Sequence, residues 1–173
     1  MQKTIKIIIS LIFLFVIGIF YLSLTRDTNY NTSSLINKEA PEFKVISFDE
    51  INFYTRDDIK KNNFTLINFW ASWCAPCKIE HPVLMKLSQT NNLIILGINF
   101  KDKETQARTF LRELGDPYDL LAKDKTGKQS VRFGVYGIPE SILINKDLTI
   151  IQKFVGPLSF DDYNNILKII EKL

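Results

Sequence analysis

The residues best suited to chemistry are two cysteines, Cys74 and Cys77, which are separated by Ala75 and Pro76 and are the only cysteines among 173 residues. They follow the apolar run 66–70, which is typical of a buried strand, and they open a segment with helical periodicity. Cysteines three residues apart on a first helical turn meet the Cα separation of about 4.4–6.8 Å that a disulfide needs. The spacing and its position predict a redox-active pair that cycles between dithiol and disulfide.

The start of the predicted helix gives the two thiols different roles. Cys74 falls at or near the N-cap, where unpaired backbone N–H groups and the positive end of the helix dipole favour a thiolate. We therefore expect Cys74 to be the exposed nucleophile and Cys77, one turn further on, to be the shielded resolving thiol. Pro76 suits the first turn, because its missing N–H would have no partner there.

Two other uses of these cysteines are a structural disulfide and a metal site. A bridge that closes only two intervening residues gains little loop entropy, so stabilisation is a weak reason for it. A four-thiolate zinc site is excluded by the cysteine count. A copper chaperone that uses Cys74, Cys77 and the single histidine, His81, is the main alternative from another functional class.

The N-terminus predicts a membrane anchor. Residues 7–24 form an 18-residue stretch without charge, which at 1.5 Å per residue just spans a hydrocarbon core of about 30 Å. Lys3 and Lys6 precede it, so the positive-inside rule places the N-terminus in the cytoplasm and the remaining chain outside. A cleaved signal peptide is the competing interpretation, but no Ala-x-Ala site follows the stretch. We expect residues 1–25 to be an uncleaved anchor.

Beyond the anchor, the chain predicts a tether and one domain. Residues 26–37 are rich in Thr, Asn and Ser and indicate a flexible tether. Residues 38–173 suffice for one domain with its own core. The net charge is +3, and Lys3 and Lys6 supply two of these charges. The exported part is therefore nearly neutral and has no basic stripe of the kind that binds nucleic acid.

The periodicity of the domain predicts an α/β fold. Predicted strands are 43–48, 51–54, 66–70, 93–100, 141–144 and 149–155, and predicted helices are 55–61, 74–88, 104–114, 126–133 and 160–173. This order implies a mixed sheet, with parallel strands first, antiparallel strands last and helices on both faces. The cysteine pair then lies past the C-terminal end of a central strand, where such sheets carry their sites.

Two runs of sequence resemble a known family. Residues 69–82 (Phe-Trp-Ala-Ser-Trp-Cys-Ala-Pro-Cys-Lys-Ile-Glu-His-Pro) resemble the active-site stretch of membrane-tethered, extracytoplasmic thioredoxins. Residues 134–141 (Gly-Val-Tyr-Gly-Ile-Pro-Glu-Ser) are similar to the Gly-Val-x-Gly-x-Pro-Glu-Thr fingerprint of the CcmG/DsbE family, and the runs 97–102 and 113–118 also resemble that family. The resemblance covers 38–173 and the anchor. It implies a thioredoxin-like fold, preceded by one transmembrane helix.

The resemblance also assigns site residues. Pro139 is expected to be cis, and the loop before it, with Ile138, is expected to face the dithiol and offer its backbone to an extended substrate. Tyr136 is a candidate for substrate contact, with core packing as the equal alternative. Trp73 is expected to flank the reactive thiol as a flat contact surface. Two acids are candidates for proton transfer, because Asn68 stands where typical thioredoxins have a buried Asp. Glu140 matches the acid of the fingerprint and is expected close to the dithiol, and Glu80 lies three residues past Cys77.

The function implied by this resemblance is thiol:disulfide exchange in cytochrome c maturation. Such an enzyme takes electrons from a membrane donor of the DsbD/CcdA type and reduces a disulfide of apocytochrome c, directly or through a CcmH-like partner. It needs no cofactor besides the Cys74–Cys77 pair, and it works from the bacterial inner membrane with its domain in the periplasm. Ser141 and Ile142 depart from the fingerprint, which leaves a broader ResA-like or TlpA-like extracytoplasmic thioredoxin as the alternative.

Overall fold

A computed structural model describes residues 2–24 and 35–172 as two compact units. The first unit contains helix α1 (Gln2–Leu24), which buries none of its side chains. This helix is long and apolar enough to cross a membrane, a property that signal sequences share. The prediction of a membrane-spanning length at 7–24 is met, but most of the predicted tether, 26–37, lies outside the described residues.

The second unit, described from residue 35 to 172, has seven strands and five helices. In chain order they are β1 (Lys44–Ser47), β2 (Phe53–Thr55), α2 (Arg56–Ile59), β3 (Phe64–Trp70), α3 (Ala75–Leu87), β4 (Leu93–Phe100), α4 (Glu104–Leu114), β5 (Leu120–Asp124), α5 (Lys128–Arg132), β6 (Glu140–Asn145), β7 (Ile150–Val155) and α6 (Phe160–Lys172).

All seven strands form one mixed sheet in the order β2-β1-β5-β4-β3-β6-β7. Strand β3 is an interior strand, parallel to its neighbour β4 and antiparallel to its other neighbour β6. Strand β5 continues the parallel part beside β4, and β7 completes the antiparallel hairpin with β6. The expected α/β architecture with a mixed sheet is confirmed. Because β3 has neighbouring strands on both sides, the turn that follows it lies between helices and loops connected to strands on either side of β3.

Strand β5 is absent from the sequence-based prediction. It is a short segment, Leu-Leu-Ala-Lys-Asp, and its Lys123 and Asp124 are buried. Nζ of Lys123 donates to carboxylates of Glu50 and Glu104 at 3.0 and 2.6 Å, so the buried charge is paired. Asp124 accepts hydrogen bonds from the turn that begins α5. Contacts with residues distant in sequence stabilise a strand here that the local apolar pattern does not predict.

The two faces of the sheet carry separate apolar cores. Alternate residues of β3 point to opposite faces, so Leu66 packs with α3 and α6 while Phe69 packs with Phe133 on the other side. A third cluster joins the active-site turn to helix α4, with Trp70 packed on Phe110 and both cysteines at its edge. Trp70 is therefore a core residue.

Candidate active site

The two cysteines form a disulfide at the N-terminus of helix α3. Their Cα atoms are 5.3 Å apart, inside the range that the spacing predicts. Cys74 is the N-cap residue, with extended backbone, and its Sγ accepts a hydrogen bond of 3.2 Å from the backbone N–H of Cys77. This N–H is one of those that a helix start leaves without a partner. It will stabilise negative charge on the Cys74 sulfur when the bridge is open.

The expectation that Cys74 is exposed is wrong for the disulfide form. Its side chain is only 5% exposed, against 2% for Cys77. The reason is the loop before Pro139, whose Ile138 carbonyl oxygen lies 3.6 Å from Sγ of Cys74. The order of accessibility is nevertheless the one expected, because Cys77 is the more shielded of the two.

The loop before Pro139 has the geometry that the resemblance implies. The Ile138–Pro139 peptide bond is cis and Pro139 is buried. The loop lies against the disulfide through Ile138, so an extended chain that reaches Cys74 must pass along its backbone. Pro139, Ile138 and the two cysteines are thus brought together.

Glu140 lies on the opposite face of the sheet from helix α3. It pairs with Phe69 across strands β6 and β3, whereas its neighbour Ser141 pairs with Asn68 on the α3 side. Oε1 of Glu140 accepts hydrogen bonds from the backbone N–H groups of Tyr136 and Gly137, at 2.9 and 3.1 Å. The expected closeness of Glu140 to the dithiol stays a prediction, but its carboxylate does not lie on the α3 face. Its carboxylate holds the loop that contacts Cys74.

A lysine that sequence analysis missed completes this arrangement. Nζ of Lys153, on strand β7, lies 2.7 Å from Oε2 of Glu140 and donates to the carbonyl of Gly134 at 2.6 Å. Both partners of the ion pair are buried. A lysine inside the apolar run Ile-Ile-Gln-Lys-Phe-Val of β7 was the available signal, since a buried cation requires an acidic partner.

Glu80 is the acid that the structure places on the α3 side of the sheet, behind the dithiol. It is fully buried, three residues along α3 from Cys77 and therefore on a neighbouring position of the same helix face. Oε1 accepts from Nδ2 of Asn68 at 2.8 Å, and Oε2 accepts from the backbone N–H of Leu158 at 2.9 Å. Burial raises the pKa of Glu80 to about 7, although the bonds from Leu158 and Asn68 lower it. Glu80 can therefore gain or lose a proton near neutral pH.

Asn68 connects Glu80 to two further residues. Its Nδ2 also lies 3.0 Å from Oγ of Ser141, and its Oδ1 accepts a hydrogen bond of 3.0 Å from the hydroxyl of Tyr118. Burial, followed by the nearby charge of Glu80, raises the pKa of Tyr118 well above its usual value, so this hydroxyl remains a donor. Tyr118 was missed as a site residue, although it ends one of the runs that resemble the family.

Hydrogen bonds to Asp102 fix the segment that precedes Cys74. Oδ2 of Asp102 accepts from the backbone N–H of Ser72 at 2.6 Å and Oδ1 accepts from the Ser72 hydroxyl at 2.8 Å. The indole N–H of Trp73 points to the carbonyl of Lys101 at 3.4 Å. Asp102 closes the family-like run 97–102 and was not identified from the sequence as a site residue.

The predicted substrate contacts lie together. Trp73 and Tyr136 are 57% and 79% exposed, Ile138 is half-buried, and all three line one cleft of about 770 Å³ beside the disulfide. Two of its lining residues adjoin Cys74, Trp73 in sequence and Ile138 through its carbonyl oxygen, and the lining continues along α5. It is the natural place for the segment of a partner protein that flanks the reacting cysteine.

The geometry does not support the three-ligand copper site. Nε2 of His81 lies 3.0 Å from the carbonyl oxygen of Gly115, and the ring packs edge-on against Phe110. Burial lowers the pKa of His81. Within residues 2–24 and 35–172, no group of three or more His, Cys, Asp and Glu side chains could hold a metal ion. His81 therefore has a packing role here.

Comparisons with known proteins agree with this geometry. The family model described as Redoxin matches residues 35–167. The thiol:disulfide interchange protein HelX of Rhodobacter capsulatus is 38% identical over 136 residues, which cover 79% of this chain and 77% of that protein. DsbE of Escherichia coli, also named a thiol:disulfide interchange protein, is 34% identical over 165 residues, which cover 92% and 89%.

Solved structures confirm the fold. A thiol:disulfide interchange protein of the thioredoxin family from Chlorobium tepidum superposes with a TM-score of 0.64 at 23% identity, over 78% of this chain and 96% of that one. The thioredoxin domain of a thiol-disulfide oxidoreductase from Bacteroides vulgatus gives a TM-score of 0.67 at 23% identity, over 78% and 97%. The α/β domain is thioredoxin-like, as expected.

Proposed function

Because this chain belongs to the Redoxin family, and within it to the thiol:disulfide interchange proteins of the DsbE type, we propose that it reduces the disulfide of apocytochrome c during cytochrome c maturation. Thiol:disulfide interchange is the activity of this group. The substrate follows from the resemblance of residues 69–82 and 134–141 to the CcmG/DsbE family. The observation that carries the chemistry is the Cys74–Cys77 disulfide at the start of α3, in contact with the cis-Pro139 loop.

The exchange proceeds in two steps. The Cys74 thiolate attacks one sulfur of the partner disulfide, forms a mixed disulfide and releases the other partner sulfur as a thiolate. Cys77 then loses its proton and attacks Sγ of Cys74, which expels the second partner sulfur. The partner gains two electrons and two protons, and the enzyme is left with the disulfide that the structure describes.

Glu80 favours the direction of exchange in which this protein reduces the disulfide of its partner. An ionised carboxylate near the pair disfavours a thiolate, and so does burial. A dithiol whose thiolate is stabilised less strongly than that of DsbA makes a weaker oxidant and a better reductant. With a pKa of about 7, Glu80 is also suited to accept the proton that Cys77 gives up in the second step.

The cellular setting of this proposal follows from the N-terminal helix. Helix α1 anchors the protein in the bacterial inner membrane, with the N-terminus in the cytoplasm and the thioredoxin-like domain in the periplasm. A membrane donor of the DsbD/CcdA type returns electrons to the Cys74–Cys77 pair. Apocytochrome c, or a CcmH-like protein that reduces it, receives them. The oxidising compartment makes this supply necessary, because exported haem-attachment cysteines form disulfides there.

The test uses the reduced full chain in a mild non-ionic detergent and an oxidised peptide with a Cys-x-x-Cys-His segment. We expect wild type to become a disulfide while the peptide gains two hydrogens, and Cys77→Ser to accumulate a mixed disulfide through Cys74, seen by mass spectrometry. Cys74→Ser is the matched control, which should form no such adduct. Failure of wild type to reduce the peptide would reject the proposal.

The reduction potential decides the direction of the reaction. Equilibration with glutathione should give a value of about −200 mV or lower, in the range of reducing glutaredoxins and thioredoxin. A value of about −120 mV, as for DsbA, would assign disulfide formation instead. Deletion of the gene separates the alternatives: loss of c-type cytochromes supports the proposed substrate, and normal cytochromes would favour a general ResA-like or TlpA-like reductant.

A further inference from the structure

The charged residues that line the cleft beside the disulfide are cations. Among residues 2–24 and 35–172, the charged lining residues are Lys101, Lys128 and Arg132, and no Asp or Glu lines the cleft. All three cations are exposed. Within the domain described from 35 to 172, none of them forms an ion pair with a carboxylate. The cleft therefore presents three cations that have no ion-paired carboxylate, although the domain as a whole is nearly neutral.

Nearby carboxylates are turned to other partners. Asp102 binds Ser72, and Asp124 accepts hydrogen bonds from the backbone N–H groups of Gly127 and Ser130. Glu140 is paired with Lys153. Within residues 35–172, none of these three carboxylates lines the cleft or forms an ion pair with its cations.

The position of Lys101 is built into the fold. Its backbone has a φ of 44°, in the left-handed region that few residues other than glycine adopt. Its N–H donates to the carbonyl of Asp124 at 3.2 Å, and its own carbonyl faces the indole of Trp73. The side chain passes over Gly127, where a Cβ would lie 2.6 Å from Cε of Lys101. Gly127 thus leaves room for the lysine stem on the floor of the cleft.

Apolar surface lies between these cations and the reacting sulfur. Trp73 adjoins Cys74, and Ile138 contacts its Sγ through the carbonyl oxygen. Exposed Val131 and Tyr136 extend the apolar lining toward Lys128 and Arg132. An extended segment bound here therefore meets apolar surface next to its reacting cysteine and positive charge further along.

We propose that this cleft selects partner proteins that carry an apolar or aromatic residue next to the reacting cysteine and acidic side chains beyond it. This inference rests on the proposed thiol:disulfide exchange and specifies which protein disulfides are exchanged fastest. Uncompensated charge in a cleft raises the local concentration of oppositely charged partners and speeds their encounter. The apolar lining near Trp73 supplies contact area that does not depend on salt.

The test compares three synthetic peptides that share one Cys-x-x-Cys disulfide and one neighbouring Phe. They differ only at two flanking positions, which are both Glu, both Gln or both Lys. The reduced full chain in non-ionic detergent is assayed for kcat/KM with each peptide. We expect the order Glu, Gln, Lys, with about a tenfold difference between Glu and Gln at low salt. At about 1 M salt, where the Debye length is about 3 Å, the difference should almost vanish.

Two triple variants locate the effect. Lys101→Gln, Lys128→Gln and Arg132→Gln together should abolish the preference for the Glu peptide. The control, Lys60→Gln with Lys146→Gln and Lys172→Gln, removes the same charge from exposed positions outside the cleft and should retain the preference.

The outcomes separate the two proposals. Equal kcat/KM values for the three peptides, or a preference that survives in the cleft variant, would overturn the inference. If one of these results is obtained but wild type still reduces 2-hydroxyethyl disulfide, a small neutral disulfide, the inference falls and the proposed exchange activity stands. If wild type reduces neither this compound nor any peptide, both fall.

Discussion

Replacing Glu80 with glutamine should remove the contribution of this buried acid to the pH dependence of the unfolding free energy. In the disulfide form the carboxyl is fully buried, and its pKa rises from 4.5 to about 7 because burial penalises the charged form. Between these two pH values, the folded protein keeps a proton that the unfolded chain has released. The free energy of unfolding therefore falls as pH rises through this window.

The size of the effect follows from the two pKa values. For an acid that titrates at 4.5 unfolded and at about 7 folded, linkage gives a loss of about 2.5 kcal/mol of unfolding free energy between pH 5 and pH 8. The Glu80→Gln variant would also lose the hydrogen bond from Leu158, because the amide nitrogen of the new side chain cannot accept it. That loss is the same at both pH values, so it cancels when the pH dependence is compared.

The assay is guanidinium unfolding of the oxidised full chain in non-ionic detergent, at pH 5 and pH 8. Fluorescence reports on the thioredoxin-like domain alone, since both tryptophans, Trp70 and Trp73, are in it. The oxidised form is used because disulfide-bonded cysteines do not titrate. Glu113→Gln, at an exposed position, is the matched control for the loss of one carboxylate. Equal pH dependence in wild type and Glu80→Gln would refute the assignment of a raised pKa to Glu80.

Three further substitutions test the supports of the site by the same unfolding assay. Lys153→Met should cost about 3–5 kcal/mol, because it leaves the buried charge of Glu140 unpaired, and adding Glu140→Gln should restore most of the loss; no recovery in the double variant would contradict this. Gly97→Ala should cost about 1–3 kcal/mol, since its Cβ would lie 2.5 Å from Cδ1 of Tyr118, and wild-type stability would show that the ring can move freely. Asp102→Ala should cost about 1–3 kcal/mol and slow peptide reduction, because the loop that enters the dithiol loses two hydrogen bonds; unchanged kinetics would argue against this support.

Much of the fold could be predicted because its strands and helices have strong local patterns. The apolar runs of β3 and β4 and the periodicity of α4 and α6 identify these elements without tertiary information. Strand β5 could not be predicted in this way. Its charged residues Lys123 and Asp124 are buried through partners far along the chain, and such partners are visible only once the sheet is assembled.

The active-site cysteines could be predicted from their spacing, but their surroundings could not. The low exposure of Cys74 depends on the loop at Ile138, which is 64 residues away in sequence. Tyr118 reaches Asn68 across 50 residues. Local patterns carry no information on which distant side chain will complete a buried hydrogen-bond network.

The two acidic candidates have roles that differ because they lie on opposite faces of one sheet. The pairing of Glu140 with Phe69, and of Ser141 with Asn68, fixes which residue points toward α3, since neighbours on a strand alternate. Glu80 therefore lies on the α3 face, the same side as the dithiol, where burial raises its pKa to about 7. Glu140, one position after the cis proline, is paired with a buried lysine. It accepts a hydrogen bond from the loop before Pro139 on the opposite face of the sheet. We propose that Glu80 transfers the proton on one face of β3 and that Glu140 positions the loop before Pro139 from the other face. Substitutions at Glu80 should then change the pH profile of reduction, and substitutions at Glu140 should chiefly raise KM for a peptide disulfide.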